Sequence, residues 1–455
     1  MAARGIRYER AYTPHPACVP ARAALLTGMN AIRNGVTDNG LWLRPDITDC
    51  GIQLWPELLN QAGYRTAAIG KMHFTPWDVT HGFQYSVNAE DKRWPEIRDD
   101  YYHFLRVHGH RKYHGNEHDG YLENKGAIIN KLPWELSVDH FVGMEACKFL
   151  ATYGREQPFA AMVSFPGPHC PYDPNPEFLE GLDPTAMPSA APEVPEDAPK
   201  LRQSNIDGNR RDWNGVDHTN FTDAHKQKIR LHYAALVRQI DYEVGQILST
   251  LEEQDLLDNT VIIFVSDHGD YLGDHNLIGK ASFFERSIHI PMIVAIPDRF
   301  AHNLMQPSVS NDLVTLTDVM PTMLRLARVD LPDYIDAQPL PSLGLTALPP
   351  RTRIFGMMSQ GWMNFDGTYR LHKYGTGESL LFNLVDDPDE QRNLFDDPAH
   401  QETLRRLENE LAVEVMRSMR DAFQANSVNA DNTMWQSAAY GARGWQRLYP
   451  QVMGA

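Results

Sequence analysis

Cys18-Val19-Pro20-Ala21-Arg22 sets a thiol four residues ahead of a guanidinium, with the apolar run Ala23-Ala24-Leu25-Leu26 directly behind. Free cysteine is among the most buried side chains, so these five residues alone read equally well as a buried thiol at a helix start. Ser266-Asp267-His268-Gly269-Asp270 follows the most strand-like run in the chain. An Asp-His pair at a strand end offers a carboxylate oxygen and an imidazole nitrogen to one divalent cation, or simply caps the next segment. In Gly70-Lys71-Met72-His73, lysine and histidine stand two apart, and on an extended segment they would point to the same side. Phe165-Pro166-Gly167-Pro168-His169 puts a histidine just past another strand, where its plain reading is a residue ending a turn. Asn39, in Asp38-Asn39-Gly40, is also an ordinary turn residue.

These residues need a scaffold, and the chain is long enough to provide one. At 455 residues it can bury a large core and suggests two or more domains. Its 42% hydrophobic and 22% charged content is ordinary for a globular protein. The net charge of −17 argues against nucleic-acid binding through a basic surface. A small anionic substrate would need local positive charge, from a metal or from clustered Lys, Arg and His. Four cysteines are too few for a disulfide framework and show no zinc spacing, so Cys50, Cys147 and Cys170 read as structural thiols. No long apolar stretch predicts a membrane span. The first eight residues have no apolar leader, so the chain as written reads as cytoplasmic, or periplasmic if a leader has been lost.

Short β-rich runs alternate with helical patterns, which predicts an α/β architecture with a largely parallel sheet. Residues 66–70, 159–165, 260–266 and 290–295 read as strands, the third as a β-branched run buried on both faces. Residues 231–252 read as one amphipathic helix, with Leu236, Ile240, Val244 and Leu248 at helical spacing. The chemistry-bearing residues sit just past strand C-termini, where open α/β sheets bind ligands. Residues 172–222 are rich in Pro, Asp and Asn and read as a substrate-covering or disordered loop. Residues 101–120 hold five histidines in no metal-site spacing, which predicts a solvated or substrate-facing insertion. Past residue 339 the pattern changes: 353–358, 369–374 and 380–384 read as antiparallel strands, and 400–420 as a helix. The expected division is a site-bearing domain over 1–345, a small α+β subdomain over 346–421 and an irregular tail over 422–455. The tail carries Trp435, Tyr440, Trp445 and Tyr449, which pack across the body or against a second copy of the chain in a homo-oligomer.

The cysteine block resembles the signature of type I, formylglycine-dependent sulfatases of the alkaline-phosphatase-like superfamily. Residues 266–285, with Gly279-Lys280-Ala281-Ser282-Phe283-Phe284-Glu285 at their end, resemble the second block that sulfatases share with phosphonate monoester hydrolases. The likeness continues through Ile290-Pro291-Met292-Ile293-Val294. Gly70-Lys71-Met72-His73 resembles the sulfatase Lys-x-His element, which phosphonate hydrolases usually lack. His169 matches a family histidine, and Asn39 a substrate-facing asparagine of phosphonate-hydrolase and choline-sulfatase-like members. Asp387-Pro388-Asp389-Glu390-Gln391-Arg392-Asn393-Leu394 looks like the family's structural C-terminal block. The resemblance runs from about Ile6 to Leu394, in family order.

That resemblance implies an alkaline-phosphatase-like sandwich and hydrolysis of sulfate esters. Cys18 would be oxidised to formylglycine by a formylglycine-generating enzyme and hydrate to a geminal diol. One hydroxyl would attack sulfur to give a covalent sulfo-enzyme, and the other would then expel sulfate. Asp267, His268 and the modified Cys18 would hold a divalent cation, calcium first, with manganese or magnesium as alternatives. Arg22 would stabilise the diol, Lys71, Lys280 and His169 the developing charge, and His73 would shuttle a proton. Asn39, His169 and Lys280 would contact the substrate, a small-molecule or carbohydrate sulfate ester, with His169 protonating the leaving oxygen. Two alternatives stand: a phosphonate monoester or phosphodiester hydrolase, because His268 in place of asparagine recurs there, and a metal-poor binding relative. Family members also carry a strand ending in paired acidic residues before the cysteine, the other half of the metal site. Glu9 is the one acidic residue ahead of Cys18, so the sequence reads as lacking that first strand. Residues 1–8 align instead with the helix end and strand that lead into the cysteine block.

Overall fold

The computed structural model describes residues 1–44, 47–48, 51–193, 198–297 and 308–424. Cys50 and the four aromatic residues expected to pack from the tail lie outside the described residues. β1 (Gly5–Tyr12) leads into α1 (Cys18–Thr27) and the short α2 (Ala31–Asn34). α3 (Trp55–Gln61) precedes β2 (Arg65–Gly70) and β3 (Tyr85–Asn88), and α4 (Asp100–Val107) and α5 (Val138–Thr152) precede β4 (Phe159–Ser164). α6 (Pro199–Arg210) and α7 (Asp223–Glu253) lead to β5 (Ile262–Val265), followed by α8 (Glu285–Ile288), β6 (Met292–Ala295), β7 (Ser308–Thr315) and α9 (Val319–Leu326). β8 (Ile354–Met358), β9 (Gly361–Phe365), β10 (Tyr369–Tyr374), β11 (Ser379–Asn383) and α10 (Gln401–Gln424) close the described chain.

Among the described residues the strands form three sheets, ordered β3-β2-β4, β5-β6-β1-β7 and β11-β10-β9-β8. In the first two, β2 pairs parallel with β3 and β4, and β1 parallel with β7, while β6 runs antiparallel to β1 and β5. Two antiparallel steps make β5 run the same way as β1. Successive strand residues face opposite ways: Ala68 of β2 packs with Val19, Leu26, Leu59 and Met320, whereas Ala67 and Ile69 pack with Phe141, Val142 and Phe149 of α5. Helices therefore cover both faces, which is why β2 reads as a continuous apolar run. This is the mostly parallel, helix-flanked α/β architecture that the alternation of elements predicts, with an antiparallel C-terminal sheet.

Several local expectations change. The run at 260–266 is not buried on both faces: all four residues of β5 are half-buried, because the strand lies at a sheet edge with β6 as its only described neighbour. The stretch 172–222 is not a bare loop. It carries α6, whose first backbone donors are capped from across the molecule by the Glu378 carboxylate (Lys200 N at 2.7 Å, Leu201 N at 3.1 Å). β3, β7 and β9 were not marked by any clear apolar alternation in the sequence. Of the five histidines at 101–120, His103, His108 and His110 are exposed, and His118 is buried with Nδ1 on the His114 carbonyl.

Candidate active site

α1 is buried on nearly every side, as an Ala- and Leu-rich helix should be, and Pro20 sits in its first turn, where a missing N–H costs nothing. Its N-cap, Ala17, has no side chain to offer. Asn39 supplies the cap instead, its Oδ1 accepting from Val19 N at 3.0 Å. Cys18, the first residue of the helix, is 1% exposed. Its Sγ lies 3.2 Å from His268 Nε2.

Arg22 shares the helix face of Cys18 one turn on. Its Nε donates to Asp267 Oδ2 at 2.9 Å, and its Nη1 to Ser164 Oγ at 2.9 Å and to the Lys71 carbonyl at 2.6 Å. Ser164 ends β4, Lys71 follows β2 and Asp267 follows β5, so one guanidinium holds three strand ends beneath Cys18. A rigid planar fork suits that task better than an ammonium.

His268 donates Nδ1–H to the Gly269 carbonyl at 2.8 Å, which turns its Nε2 toward Cys18 and, at 3.6 Å, Asp267 Oδ1. One donor atom from each of Cys18, Asp267 and His268 lies within 4.8 Å of the others. A carboxylate, an imidazole held in one tautomer by a backbone carbonyl, and the side chain at 18 fit a divalent cation. These three fill part of a coordination shell that, for calcium, takes ~6–8 ligands.

Positive charge converges on the same point. Lys280 Nζ lies 2.8 Å from His169 Nε2, and His169 Nδ1 lies 2.8 Å from the Cys170 carbonyl. The ammonium can only donate, so Nε2 accepts and the imidazole proton sits on Nδ1. Burial together with the Lys280, Arg93 and Lys71 charges pushes His169 well below the usual histidine range, so it is neutral at pH 7. Burial raises the Cys18 thiol, but Lys280, His268 and Lys71 outweigh it and hold Cys18 well below its usual range. Asp267, half-buried beside His268 and Arg22, is likewise held as a carboxylate by their charges.

Lys280 itself is placed by its loop. Asp270 Oδ1 accepts from Gly279 N at 3.1 Å, and Asn205 of α6 donates to the Ile278 and Lys280 carbonyls at 3.1 and 3.0 Å.

Two readings of the sequence change here. The segment after β2 is not extended, since Gly70 and His73 have φ of 102° and 59°, so the argument that Lys71 and His73 share a side fails. Lys71 is 2% exposed and donates to Asp91 Oδ2 at 3.3 Å. His73 has its backbone N on the Glu90 carboxylate at 3.0 Å, and its buried Nδ1 is without a partner. Among the described residues, no side-chain hydrogen bond or ion pair joins His73 to Cys18, His169 or Lys280. Asn39 is exposed and its carbonyl oxygen is committed to α1, which leaves only its NH₂ to face a substrate.

Sequence reasoning missed Glu90, Asp91 and Arg93. Asp91 is buried between Lys71 and Arg93, whose Nε and Nη2 reach it at 2.9 and 2.7 Å. The signal was the alternating charge of Glu90-Asp91-Lys92-Arg93 just past β3, which in isolation looks like a solvated turn.

The sulfatase family model matches residues 1–329. An arylsulfatase of Clostridium perfringens is 28% identical over 439 residues, covering 89% of this chain and 85% of that protein. A choline-sulfatase of Rhizobium meliloti is 30% identical over 73% of this chain and 62% of its own length. In fold, the chain superposes on the phosphonate monoester hydrolase of Silicibacter pomeroyi with a TM-score of 0.76 at 20% identity, covering 96% of this chain and 93% of that one. No helix among the described residues is long and apolar enough to cross a membrane. With a buried cysteine, a cation-fitting Asp-His pair and converging lysines at the strand ends, and the family model spanning most of the length, the chain belongs to the sulfatase family of sulfuric ester hydrolases.

Proposed function

We propose that residue 18, as formylglycine, is the nucleophile with which this chain hydrolyses sulfate esters, and that its maturation requires a formylglycine-generating enzyme. The observation that carries this reading is the placement of Cys18 at a buried helix start, 3.2 Å from His268 Nε2 and within the fields of Lys280 and Lys71. The hydrated aldehyde supplies two hydroxyls on one carbon, one to attack sulfur and one to release sulfate. Asp267, His268 and residue 18 would hold the divalent cation, which supplies Lewis-acid stabilisation of an alkoxide. Calcium is the proposed ion, and metal analysis of the purified protein separates it from manganese and magnesium, which carboxylate donors also suit.

The chain's own residues do the rest. Arg22 fixes the cysteine helix to the strand ends. Lys280 and Lys71 present fixed positive charge to the sulfuryl oxygens at no reorganisation cost. His169, with Nε2 accepting from Lys280 and Nδ1–H on the Cys170 carbonyl, orients the Lys280 ammonium, which gives the proton to the leaving oxygen. By the family resemblance, His73 is assigned the role of proton carrier and the Asn39 NH₂ that of a substrate donor.

A second reading, hydrolysis of phosphonate monoesters, is favoured by one observation: His268 stands where the commoner sulfatase residue is asparagine. Parallel kcat/KM measurements on 4-nitrophenyl sulfate and 4-nitrophenyl phenylphosphonate decide between them. Sulfate is expected to lead by at least about tenfold; equal rates, or a phosphonate lead, reject the sulfate reading.

A further inference from the structure

His169 and Lys280 stand on loops that follow different strands, and the chain between them supplies the piece that joins those loops. Asn205 of α6 donates Nδ2 to the Ile278 and Lys280 carbonyls at 3.1 and 3.0 Å. Asn209, one turn on and buried, has its Nδ2 2.9 Å from the Asn205 carbonyl and 3.3 Å from both Asn205 Oδ1 and the Ile278 carbonyl. Asn214, also buried, donates Nδ2 to Asn209 Oδ1 at 3.0 Å. Its own Oδ1 lies 3.6 Å from Cys170 Sγ and 3.3 Å from the Tyr121 hydroxyl. A carbonyl only accepts, so the Lys280 contact turns Asn205 Nδ2 toward that loop and fixes each later amide in turn. Burial holds Cys170 above its usual range, so its thiol keeps a proton to donate.

From donor to acceptor, the path runs from the Cys170 thiol through Asn214, Asn209 and Asn205 to the Lys280 carbonyl. It closes on itself through the site, because Lys280 Nζ donates to His169 Nε2 at 2.8 Å and His169 Nδ1 to the Cys170 carbonyl at 2.8 Å. We propose that Asn205, Asn209 and Asn214 are positioning residues for the reaction: they fix the separation of the two loops and so aim the Lys280 ammonium at the leaving oxygen. The proposal rests on the sulfate-ester reading above, in which Lys280 gives that proton. A lysine carries its charge on a flexible four-carbon stem, so its tip is aimed only when backbone and tip are both held. Asp270 holds this backbone at Gly279 N, 3.1 Å away, and the asparagines hold it at the carbonyls on either side. The Tyr121 hydroxyl pins the other end by donating to the Asn214 carbonyl at 2.7 Å. Amides aligned head to tail in a low-dielectric interior polarise and strengthen one another. A displacement of about 1 Å at a reacting group is enough to slow a reaction by about a hundredfold, so the distance between these loops is a catalytic quantity.

The test compares leaving groups, with the formylglycine-bearing protein and 4-nitrophenyl, phenyl and 4-methoxyphenyl sulfates. The nitro group lets 4-nitrophenolate depart without a proton, whereas the other two phenolates gain from one in the transition state. Asn209→Leu should lower kcat/KM on phenyl and 4-methoxyphenyl sulfate by about tenfold or more, mainly through kcat, yet on 4-nitrophenyl sulfate by less than about twofold. Asn205→Ala, at a half-buried helix position, should give the same pattern and decides the matter if Asn209→Leu does not fold. An equal loss on all three esters overturns the proposal, because a smaller folded fraction slows every ester alike; no loss overturns it too. Absence of turnover on every sulfate ester by the unsubstituted protein rejects the sulfate-ester reading instead. The positioning is then read without substrate, by nuclear magnetic resonance of protein carrying nitrogen-labelled histidine, with His169 assigned by its absence from His169→Asn. The two ring-nitrogen signals of His169 should draw together in Asn205→Ala, as the Lys280 contact loosens and the second tautomer is sampled. Signals unchanged from the unsubstituted protein overturn the proposal.

Discussion

At Arg22 a single guanidinium meets Asp267, Ser164 and the Lys71 carbonyl, and each contact belongs to a different strand end. Lysine would keep the charge and lose the fork. Arg22→Lys should therefore cost about 2 kcal/mol of stability, and Arg22→Ala, which strands the half-buried Asp267 charge, about 3 kcal/mol. Chemical denaturation reads both, and equal midpoints for the three proteins would show that the fork does not hold the strand ends. The neutrality of His169 has a kinetic consequence. Its folded value lies well below 6.5, so between pH 6 and 8 its protonation does not change. The kcat/KM profile of the free enzyme should show no inflection near 6.5 from this residue. An inflection there that disappears in His169→Asn would contradict the tautomer assigned from the Lys280 contact.

The strand ends show how far elements could be read from the sequence. β2, β4 and β6 stood out because apolar runs between helices on both faces leave a continuous signal. β3 and β7 did not, since Tyr85-Ser86-Val87-Asn88 is half-buried along most of its length and the polar start of β7 mixes exposed and buried positions without clean alternation. The site blocks after β2, β4 and β5 were legible through their spacing, whereas Glu90, Asp91 and Arg93 were not, because a buried charge network looks like a surface run until its partners are known. The turn after β2 was missed for a backbone reason: nothing in Lys71-Met72-His73 announces a left-handed residue. Gly70 sits at the start of that turn with φ of 102°, and a Cβ there would lie 2.1 Å from the Ser164 carbonyl oxygen. Gly70→Ala should lower stability by about 3 kcal/mol or more and displace Lys71. A thermal midpoint within error of wild type would remove the close β2–β4 approach from the account of the site.

Across the whole molecule, the C-terminal sheet reaches back to the loop that carries Lys280. Arg370, fully buried on β10, pairs with Glu390 at 3.1 Å and with Glu285, and Glu390 accepts from Glu285 N at 2.7 Å. Buried titratable groups also set how the fold responds to acid. His15 and His218 are both buried, and burial lowers each to about 4. Their folded values lie below the unfolded 6.5, so their contribution is present above pH 6.5 and is lost as pH falls from 6.5 to 4. Burial raises Asp139 and Asp336 to about 6 and Glu390 to about 7, which acts in the opposite sense, so the difference between variant and wild type is the clean measure. Both ring nitrogens of His218 are without partners. His218→Leu should raise the denaturation midpoint at every pH and most at pH 4–5; a gain independent of pH would show that His218 does not titrate below 6.5.

The most direct test concerns residue 18 itself. Mass spectrometry of the peptide spanning Cys18, after co-expression with a formylglycine-generating enzyme, should show the aldehyde in place of the thiol. An unmodified cysteine, in protein that also retains no divalent metal on purification, would contradict a formylglycine-dependent sulfate ester hydrolysis at this site.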